Sequence, residues 1–233
     1  MQDKLNYRNS ILSEKNLPFF EEDVEENIRE YLGQMQLYNA GIKEIKTKLE
    51  ILDDEFRVRY DYNPIHHIES RLKSPKSILE KLERKDIPVT IASIKNEISD
   101  IAGVRVICNY IDDINTIANL LIEQNDIKLI KKHDYIENPK ENGYRSLHLV
   151  IEVPIFLSSG TCNVAVEIQI RTIAMDFWAS LEHKLKYKTS NEVSDSLRYR
   201  LKKCAEDIAA IDEEMQQIHR EIDAQYDDSS DYD

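Results

Sequence analysis

The sequence predicts an α+β fold, a mixed β-sheet flanked by helices, with a long helix near each end of the chain. Three observations lead to this prediction. Apolar residues recur in alternating steps of three and four towards both termini, β-branched runs occur in the middle, and 5 glycines in 233 residues leave little material for flexible linkers. Helices therefore frame a central region of alternating strands and helices, the arrangement typical of the α+β class.

An apolar stripe between Val24 and Phe56 predicts the first long helix, because its members alternate steps of four and three residues without a break. A bend is expected at Gly33 or Gly41. We assign residues 1–57 to an N-terminal helical region. The stripe consists of Val24, Ile28, Tyr31, Met35, Tyr38, Ile42, Ile45, Leu49, Leu52 and Phe56.

The central region, residues 58–190, mixes the periods of helices and strands. Ser74-Pro75 supplies a capping hydroxyl followed by proline in the first turn, so a helix is expected from there to about Lys85. The remaining elements are strands at 104–108, 127–131, 147–153 and 164–171, the last two paired as a hairpin, and helices at 112–124 and 172–187.

A second stripe with the same spacing runs from Leu197 to Ile222, and it predicts a C-terminal helix over residues 191–224. From Glu206 onwards there are 11 acidic residues and one arginine, so residues 225–233 are expected to form a disordered acidic tail. The spacing suits packing against another helix, but it leaves open whether that helix belongs to the same chain or to another copy.

Composition limits the class of partner. A formal net charge of -13 argues against general affinity for duplex nucleic acid, yet residues 71–85 hold six basic and two acidic residues, which favours a small anionic ligand. No stretch approaches the roughly 18 apolar residues of a membrane span, and the start lacks a signal peptide, so we expect a cytoplasmic protein. Three widely spaced cysteines are expected to be buried thiols.

The basic segment offers a candidate phosphate site. Ser77, Lys81 and Arg84 fall on one stripe of the helix that begins at Ser74, and Arg71 and Lys73 lie just ahead of its N-terminus. A helix N-terminus with converging cations is a common way to bind phosphates. The alternative is a solvated basic helix face.

Polar residues on the predicted strand 164–171 suggest a second part of a site. Strand side chains alternate between faces, so Glu167, Gln169 and Arg171 share one face while the apolar residues share the other. The alternative is an edge strand with a solvated face. Asp100, just before a strand, occupies a position that can hold a hard metal ion, although a capping aspartate is commoner.

The segment Asn-Gly-Tyr-Arg-Ser-Leu-His at 142–148 places a turn, a ring and a histidine at the entry to a strand. Tyr144 is able to stack on a base and His148 to contact a phosphate or sugar, although a tyrosine near a turn is more often a packing residue.

Taken together, these segments resemble the synthetase domain of the RelA/SpoT family, and the short chain resembles its stand-alone members, the small alarmone synthetases. The resemblance covers roughly residues 60–190 and implies a nucleotidyltransferase-like mixed sheet. It rests on Arg71-Leu-Lys73 with Ser77, Lys81 and Arg84; Asp100-Ile-Ala-Gly-Val-Arg105; Asp134-Tyr-Ile with Pro139-Lys140; Asn142-Gly-Tyr-Arg-Ser-Leu-His148; and Val166-Glu-Ile-Gln-Ile-Arg-Thr172 followed by Trp178 and Glu182-His183.

The resemblance implies transfer of the β,γ-pyrophosphate of ATP to the ribose 3′-oxygen of GDP or GTP, giving ppGpp or pppGpp. It implies Mg²⁺ as cofactor, bound by Asp100 and Glu167, with Glu167 also taking the 3′-hydroxyl proton. The ATP-binding residues would be Arg71, Lys73, Ser77, Lys81, Arg84 and Arg105. The residues for GDP or GTP would be Lys140, Asn142, Tyr144 as the stacking ring, His148, Gln169 and Arg171.

The resemblance also implies a homotetramer built through the terminal helices, synthesis without hydrolysis, and single-stranded RNA as a possible regulator. Two other functions stay open at this stage. Related toxic synthetases pyrophosphorylate tRNA 3′ ends or adenosine nucleotides, and the same scaffold could serve as a catalytically idle nucleotide or RNA sensor. A scaffold protein made only for oligomerisation would leave the clustered cations unexplained.

Overall fold

The computed structural model describes residues 24–188 and 194–230, and it confirms the α+β prediction. The elements in chain order are α1 (Val24–Arg59), β1 (Ile65–Leu72), α2 (Pro75–Arg84), α3 (Ile91–Glu97), β2 (Ala102–Cys108), α4 (Ile111–Ile122), β3 (Lys128–Asp134), β4 (Leu147–Leu157), β5 (Gly160–Thr172), α5 (Ile173–Lys188) and α6 (Asp195–Ser230).

The strands form one mixed sheet in the order β1-β2-β5-β4-β3. β2 and β5 run parallel, while the other neighbouring pairs are antiparallel. The predicted hairpin is confirmed, because β4 and β5 pair from Leu147 opposite Ile170 to Leu157 opposite Gly160. β5 therefore lies at the centre of the sheet, so its alternating pattern does not belong to an edge strand.

The apolar stripe of α1 packs on the apolar face of the sheet, within the same core as the strands. Gly41 marks the closest approach: a Cβ added there would lie 2.9 Å from Cγ1 of Val164 on β5. Neither Gly33 nor Gly41 interrupts the helix, which is continuous from Val24 to Arg59. Its buried members are Tyr31, Met35, Tyr38, Ile42, Ile45 and Leu49.

Local signals place α2 as predicted. The Ser77 amide donates a hydrogen bond to Ser74 Oγ at 3.3 Å, and Pro75 occupies the first helical position, where a missing N–H costs nothing. α3 is capped in the same way, since the Ser93 amide donates to Thr90 Oγ1 at 3.0 Å. β1 and α3 were not predicted from the sequence.

The C-terminal helix α6 packs against α4 and α5 rather than on the sheet. Arg220 forms two hydrogen bonds, of 2.8 and 2.9 Å, with the Asp112 carboxylate, and Gln216 Oε1 accepts from the Asp112 amide at 2.8 Å. In contrast to α1, much of its apolar stripe is exposed. The strongly exposed members are Leu197, Ile211, Met215, Ile218 and Ile222.

Two expectations need correction. α6 continues to Ser230, through part of the segment 225–233 that we expected to be disordered, because each residue added to an anchored helix gains a backbone hydrogen bond. Residues 231–233 lie outside the described residues. Of the cysteines, Cys108 is buried, Cys162 is half-buried and Cys204 is exposed, whereas all three were expected to be buried.

Among the described residues, no helix has the length and apolar character needed to cross a membrane.

Candidate active site

A cleft opens on the polar face of the sheet where β1, β2 and β5 lie side by side. The parallel pairing of β2 with β5 puts Gly103 opposite Glu167 and Arg105 opposite Gln169. Five predicted site residues, distant in sequence, thereby meet in one place. The lining residues are Glu69, Ser70, Arg71, Asp100, Gly103, Val104, Arg105, Glu167 and Gln169.

Asp100, just before β2, is contacted by two ammonium groups. Nζ of Lys73 lies 2.7 Å from Oδ2, and Nζ of Lys81 lies 2.8 Å from Oδ1. Burial alone would raise the pKa of Asp100, but the hydrogen bonds and charges of the two lysines outweigh burial, and its pKa lies below the ordinary value. Asp100 is therefore ionised at neutral pH, and two of the predicted phosphate-binding cations lie beside it.

Glu167 is a second ionised carboxylate in the cleft. Its Oε2 accepts a hydrogen bond from Gln169 Nε2 at 2.9 Å, and its Oε1 lies 3.5 Å from Nδ1 of His148. Burial and the nearby charge of Asp100 raise the pKa of Glu167, but contacts with His148 and Gln169 bring it below the ordinary value. The carboxylate is available to accept a proton or to bind a cation.

Of the other predicted ATP-binding residues, Arg71 and Arg105 line the cleft with Asp100 and Glu167, whereas Ser77 and Arg84 are not among its lining residues. Arg105 NH1 lies 3.1 Å from Glu69 Oε2. Arg71, on β1, is exposed and lies opposite Gly103 of β2. The Ser77 hydroxyl accepts from Ser74 Oγ at 3.0 Å in the first turn of α2. Arg84 is exposed in the last turn of that helix.

The predicted guanine-nucleotide residues gather around Tyr144, next to the cleft. The Tyr144 hydroxyl lies 2.8 Å from Nε2 of His148 and accepts from Arg171 NH2 at 2.7 Å. Because Nδ1 of His148 faces Glu167, one imidazole ring joins the tyrosine to the carboxylate. The predicted donor and acceptor residues therefore adjoin each other at Glu167.

Lys140 lies over two aromatic rings beside this cluster. Its Nζ is 4.4 Å from the centroid of the Tyr135 ring and 4.8 Å from that of Tyr144, within the range of cation–π attraction. The two rings are edge-to-face with centroids 6.1 Å apart. A base that stacks on Tyr144 would thus meet both an aromatic surface and a cation.

The loop that carries Asn142 and Tyr144 rests on the C-terminal helices. Asn142 Nδ2 donates to Glu182 Oε1 of α5 at 3.1 Å. Gly143 has φ +89°, and a Cβ added there would lie 2.5 Å from the Cβ of Ala205 on α6. Only glycine fits both this backbone conformation and this contact. The close approach of Ala205 therefore fixes the position of the loop relative to α6.

Arg171 lies beneath the site and is 5% exposed. Besides Tyr144, its guanidinium donates to Gln169 Oε1 at 2.8 Å, to Ser146 Oγ at 3.4 Å and to Asp176 Oδ1 at 3.0 Å. Asp176 and Ser146 were missed from the sequence. The available signal for Asp176 was an acidic residue in the first turn of the helix that follows the strand containing Arg171.

The donor set fits a magnesium ion. Mg²⁺ is usually bound through one or two carboxylates together with substrate phosphates. Asp100 and Glu167 are both ionised and line the same cleft. Within residues 24–188 and 194–230, no group of three or more His, Cys, Asp or Glu side chains could hold a metal, so the pair would depend on the substrate for further ligands.

The fold and the cleft define a class: an α+β protein whose central sheet carries two ionised carboxylates in one cleft, next to a helix with converging cations and to a tyrosine ring. Comparison with known proteins agrees with that class. The family model described as "Region found in RelA / SpoT proteins" matches residues 70–192. The GTP pyrophosphokinase YwaC of Bacillus subtilis is 44% identical over 202 residues, which cover 87% of this chain and 96% of the relative.

Solved structures give the same result. The Bacillus subtilis small alarmone synthetase 1 bound to its product pppGpp superposes with a TM-score of 0.74 at 40% identity, covering 79% of this chain and 94% of the other. The same synthetase bound to AMPCPP has a TM-score of 0.68 at 35% identity, covering 80% and 93%. The chain belongs to the RelA/SpoT family, among its small alarmone synthetases, which are transferases.

Proposed function

We propose that this protein transfers the β,γ-pyrophosphate of ATP to the ribose 3′-oxygen of GDP or GTP, forming ppGpp or pppGpp. The observation that supports this best is the position of Glu167. It lines the cleft together with Arg71 and Arg105, two of the predicted ATP residues, and through His148 it is joined to Tyr144, the predicted guanine-stacking ring. A proton acceptor at the junction of two nucleotide subsites suits group transfer between them.

On the donor side, the protein supplies charge neutralisation and alignment, which phosphoryl-group transfer needs more than covalent catalysis. Lys73, just ahead of α2, and Lys81, in the last turn of α2, both contact Asp100. Their ammonium groups would exchange part of this contact for the phosphates of ATP. Arg71 and Arg105 lie on adjacent strands at the mouth of the cleft, where a guanidinium can stack on an adenine ring.

On the acceptor side, the guanine would stack on Tyr144, and Lys140 and Asn142 would contact the base or sugar. Glu167 would take the proton from the 3′-hydroxyl as the new P–O bond forms, with the pyrophosphoryl group leaving the α-phosphate of ATP as AMP departs. The pKa of Glu167 lies below its ordinary value, so the carboxylate is ionised and ready to accept that proton at neutral pH.

Asp100 and Glu167 would hold Mg²⁺, which when bound neutralises phosphate charge and lowers the pKa of a nearby hydroxyl. The ion would share these carboxylates with Lys73 and Lys81, which contact Asp100 in the present structure. The metal would replace the ammonium groups at Asp100, and the ATP phosphates would bind the ammonium groups so released. ATP and the metal are therefore expected to bind together.

The test is to incubate purified protein with magnesium and γ-labelled ATP, with GDP, GTP, ADP or deacylated tRNA in separate tubes, and to resolve the labelled products. Label in a guanosine tetra- or pentaphosphate supports the proposal. Label in tRNA or in an adenosine product would place the chain with the toxic synthetases instead, and no transfer would favour a nucleotide sensor.

A carboxylate substitution makes the test specific to the site. Glu167→Gln should lower kcat on the order of 100-fold or more while ATP binding persists. Glu152→Gln is the matched control, since Glu152 lies on β4 next to β5 but contacts Lys128 at the far edge of the sheet. Wild-type turnover by Glu167→Gln would remove this residue as the proton acceptor.

Self-association is proposed through the exposed stripe of α6 rather than through α1. From Tyr31 to Leu49 the α1 stripe is buried on its own sheet, whereas Ile211, Met215 and Ile218 expose between 41% and 62% of their surface. Phe177 and Leu181 of the neighbouring helix α5 are exposed as well. Light scattering should show a tetramer for the wild type and a smaller species for Ile218→Asp. An unchanged mass for that variant would contradict this surface as the interface.

A further inference from the structure

Asp176 is an acidic residue in the first turn of α5 that has no role in the proposed function. Its side chain is 19% exposed. Oδ1 lies 3.0 Å from NH1 of Arg171 and 3.5 Å from NH1 of Arg105, while Oδ2 accepts from Ser180 Oγ at 3.3 Å. One carboxylate therefore lies between two arginines that belong to different halves of the site.

Towards the acceptor half, Asp176 supplies a counter-charge to Arg171. This guanidinium is nearly buried and donates to both the Tyr144 hydroxyl and Gln169 Oε1. Gln169 in turn donates to Glu167 Oε2 at 2.9 Å. A buried guanidinium without its carboxylate shifts or recruits another partner, so loss of the Asp176 charge would disturb both the stacking ring and the proton acceptor.

Towards the donor half, Asp176 restrains Arg105. NH1 of Arg105 has two carboxylate neighbours, Glu69 at 3.1 Å and Asp176 at 3.5 Å. Glu69 is 55% exposed and belongs to β1 at the edge of the sheet, so its contact is the weaker restraint. Asp176 is the more enclosed of the two and approaches from the helix side.

We propose that Asp176 is a positioning residue that aligns the donor and acceptor halves of the site through Arg105 and Arg171. This inference rests on the proposed function, because it concerns the same two nucleotides. Asp176 touches neither nucleotide; it acts by fixing the guanidinium groups that do the aligning. Loss of its charge should therefore change kcat and the KM values for both ATP and GDP. Loss of the charge of an aspartate that contacts no site residue would change none of them.

The test compares Asp176→Asn, Asp176→Glu and Glu69→Gln with the wild type. The kinetic readouts are kcat and separate KM values for ATP and GDP, and calorimetry measures binding of GDP and AMPCPP directly. Asp176→Asn is expected to lose roughly tenfold to 100-fold in kcat and to raise both KM values, since small misplacements of reacting groups have effects of that order. Asp176→Glu should recover part of the loss.

Glu69→Gln is the matched control, because it removes a carboxylate from Arg105 and leaves Arg171 untouched. It should raise the KM for ATP by a few fold and leave the KM for GDP within about twofold, so the KM for GDP separates the two variants. If folded Asp176→Asn keeps the wild-type kcat and KM for GDP, the proposal is overturned. If that variant does not fold, Asp176→Glu takes its place, and wild-type values of kcat and of both KM in folded Asp176→Glu overturn the proposal.

Failure of the proposed function gives a different result. A wild type that transfers no label to a guanine nucleotide contradicts the function, and Asp176 is then judged by calorimetry alone. Weaker binding of both nucleotides by Asp176→Asn still supports the positioning role. Equal binding by wild type and Asp176→Asn, or no binding by either, overturns it.

Discussion

Substitution of Gly143 by alanine should disrupt the guanine-nucleotide side selectively. The new Cβ would lie 2.5 Å from the Cβ of Ala205, an atom fixed to the backbone of α6. Such overpacking costs about 1–3 kcal/mol, and the positive φ of +89° adds about 1–2 kcal/mol for a residue with a Cβ. The total of about 3 kcal/mol will appear as lower stability, as a displaced loop, or as both.

A double-mutant cycle separates the two costs. Ala205→Gly removes the opposing atom, and alone it should destabilise by roughly 1 kcal/mol because glycine disfavours a helix. Combined with Gly143→Ala it should relieve the clash, giving a coupling of about 1–2 kcal/mol in urea unfolding. Gly143→Ala should raise the KM for GDP at least tenfold and leave the KM for ATP within about twofold, because the loop carries Asn142 and Tyr144.

Additive free energies in the cycle would show that the contact between Gly143 and Ala205 is not the source of the effect. Equal increases in the two KM values would contradict a loop dedicated to the acceptor. Gly160→Ala is a suitable control for the backbone term, since Gly160 also has positive φ, +126°, but a Cβ added there meets no atom within 4 Å. That variant should lose stability without a change in either KM.

Three further outcomes are expected. Tyr144→Ala should weaken GDP binding far more than ATP binding, whereas Tyr144→Phe keeps the ring and should lose mainly kcat; calorimetry and initial rates distinguish them, and equal losses for both nucleotides would exclude stacking. Lys81→Met should raise the KM for ATP more than that for GDP, because its ammonium lies 2.8 Å from Asp100 on the donor side; the reverse order would place it with the acceptor. Burial, opposed by the hydrogen bond from Thr172, raises the pKa of Asp212, so its ionised form costs stability as pH rises above the ordinary aspartate pKa. Asp212→Asn should therefore raise the unfolding midpoint relative to wild type at pH 7 but not at pH 3, and a lower midpoint at pH 7 would contradict this sign.

The elements predicted correctly from the sequence are those whose pattern is local and strong. α1, α2 and the β4–β5 hairpin each show an unbroken apolar period or a capping pair within the segment itself. β1 has no such period: its sequence Ile-His-His-Ile-Glu-Ser-Arg-Leu is mostly exposed at the edge of the sheet. α3 spans 7 residues, about two turns, which is too short for a helical period to stand out.

The candidate site divides in the same way. Residue types and spacing pointed to the cations of α2 and to the polar face of β5, since each set lies on one element. Their partners could not be predicted, because these depend on which strands pair. The contact of Lys73 and Lys81 with Asp100 follows from the antiparallel pairing of β1 with β2. The position of Asp176 between two arginines follows from the parallel pairing of β2 with β5, which are separated by more than 50 residues in sequence.

The polar face of β5 is ordered by a row of directional hydrogen bonds. Arg171 has donors only, so the oxygen of the Gln169 amide must face it, at 2.8 Å. The amide nitrogen then points the other way and donates to Glu167, which as a carboxylate has acceptors only. Because both ends are fixed by charge, the amide has a single stable orientation, and Arg171 stabilises ionised Glu167 through it. Arg171, four residues from Glu167 in sequence, would therefore support the proposed proton transfer through Gln169, and Arg171→Met should lower kcat even where Gln169 and Glu167 are intact.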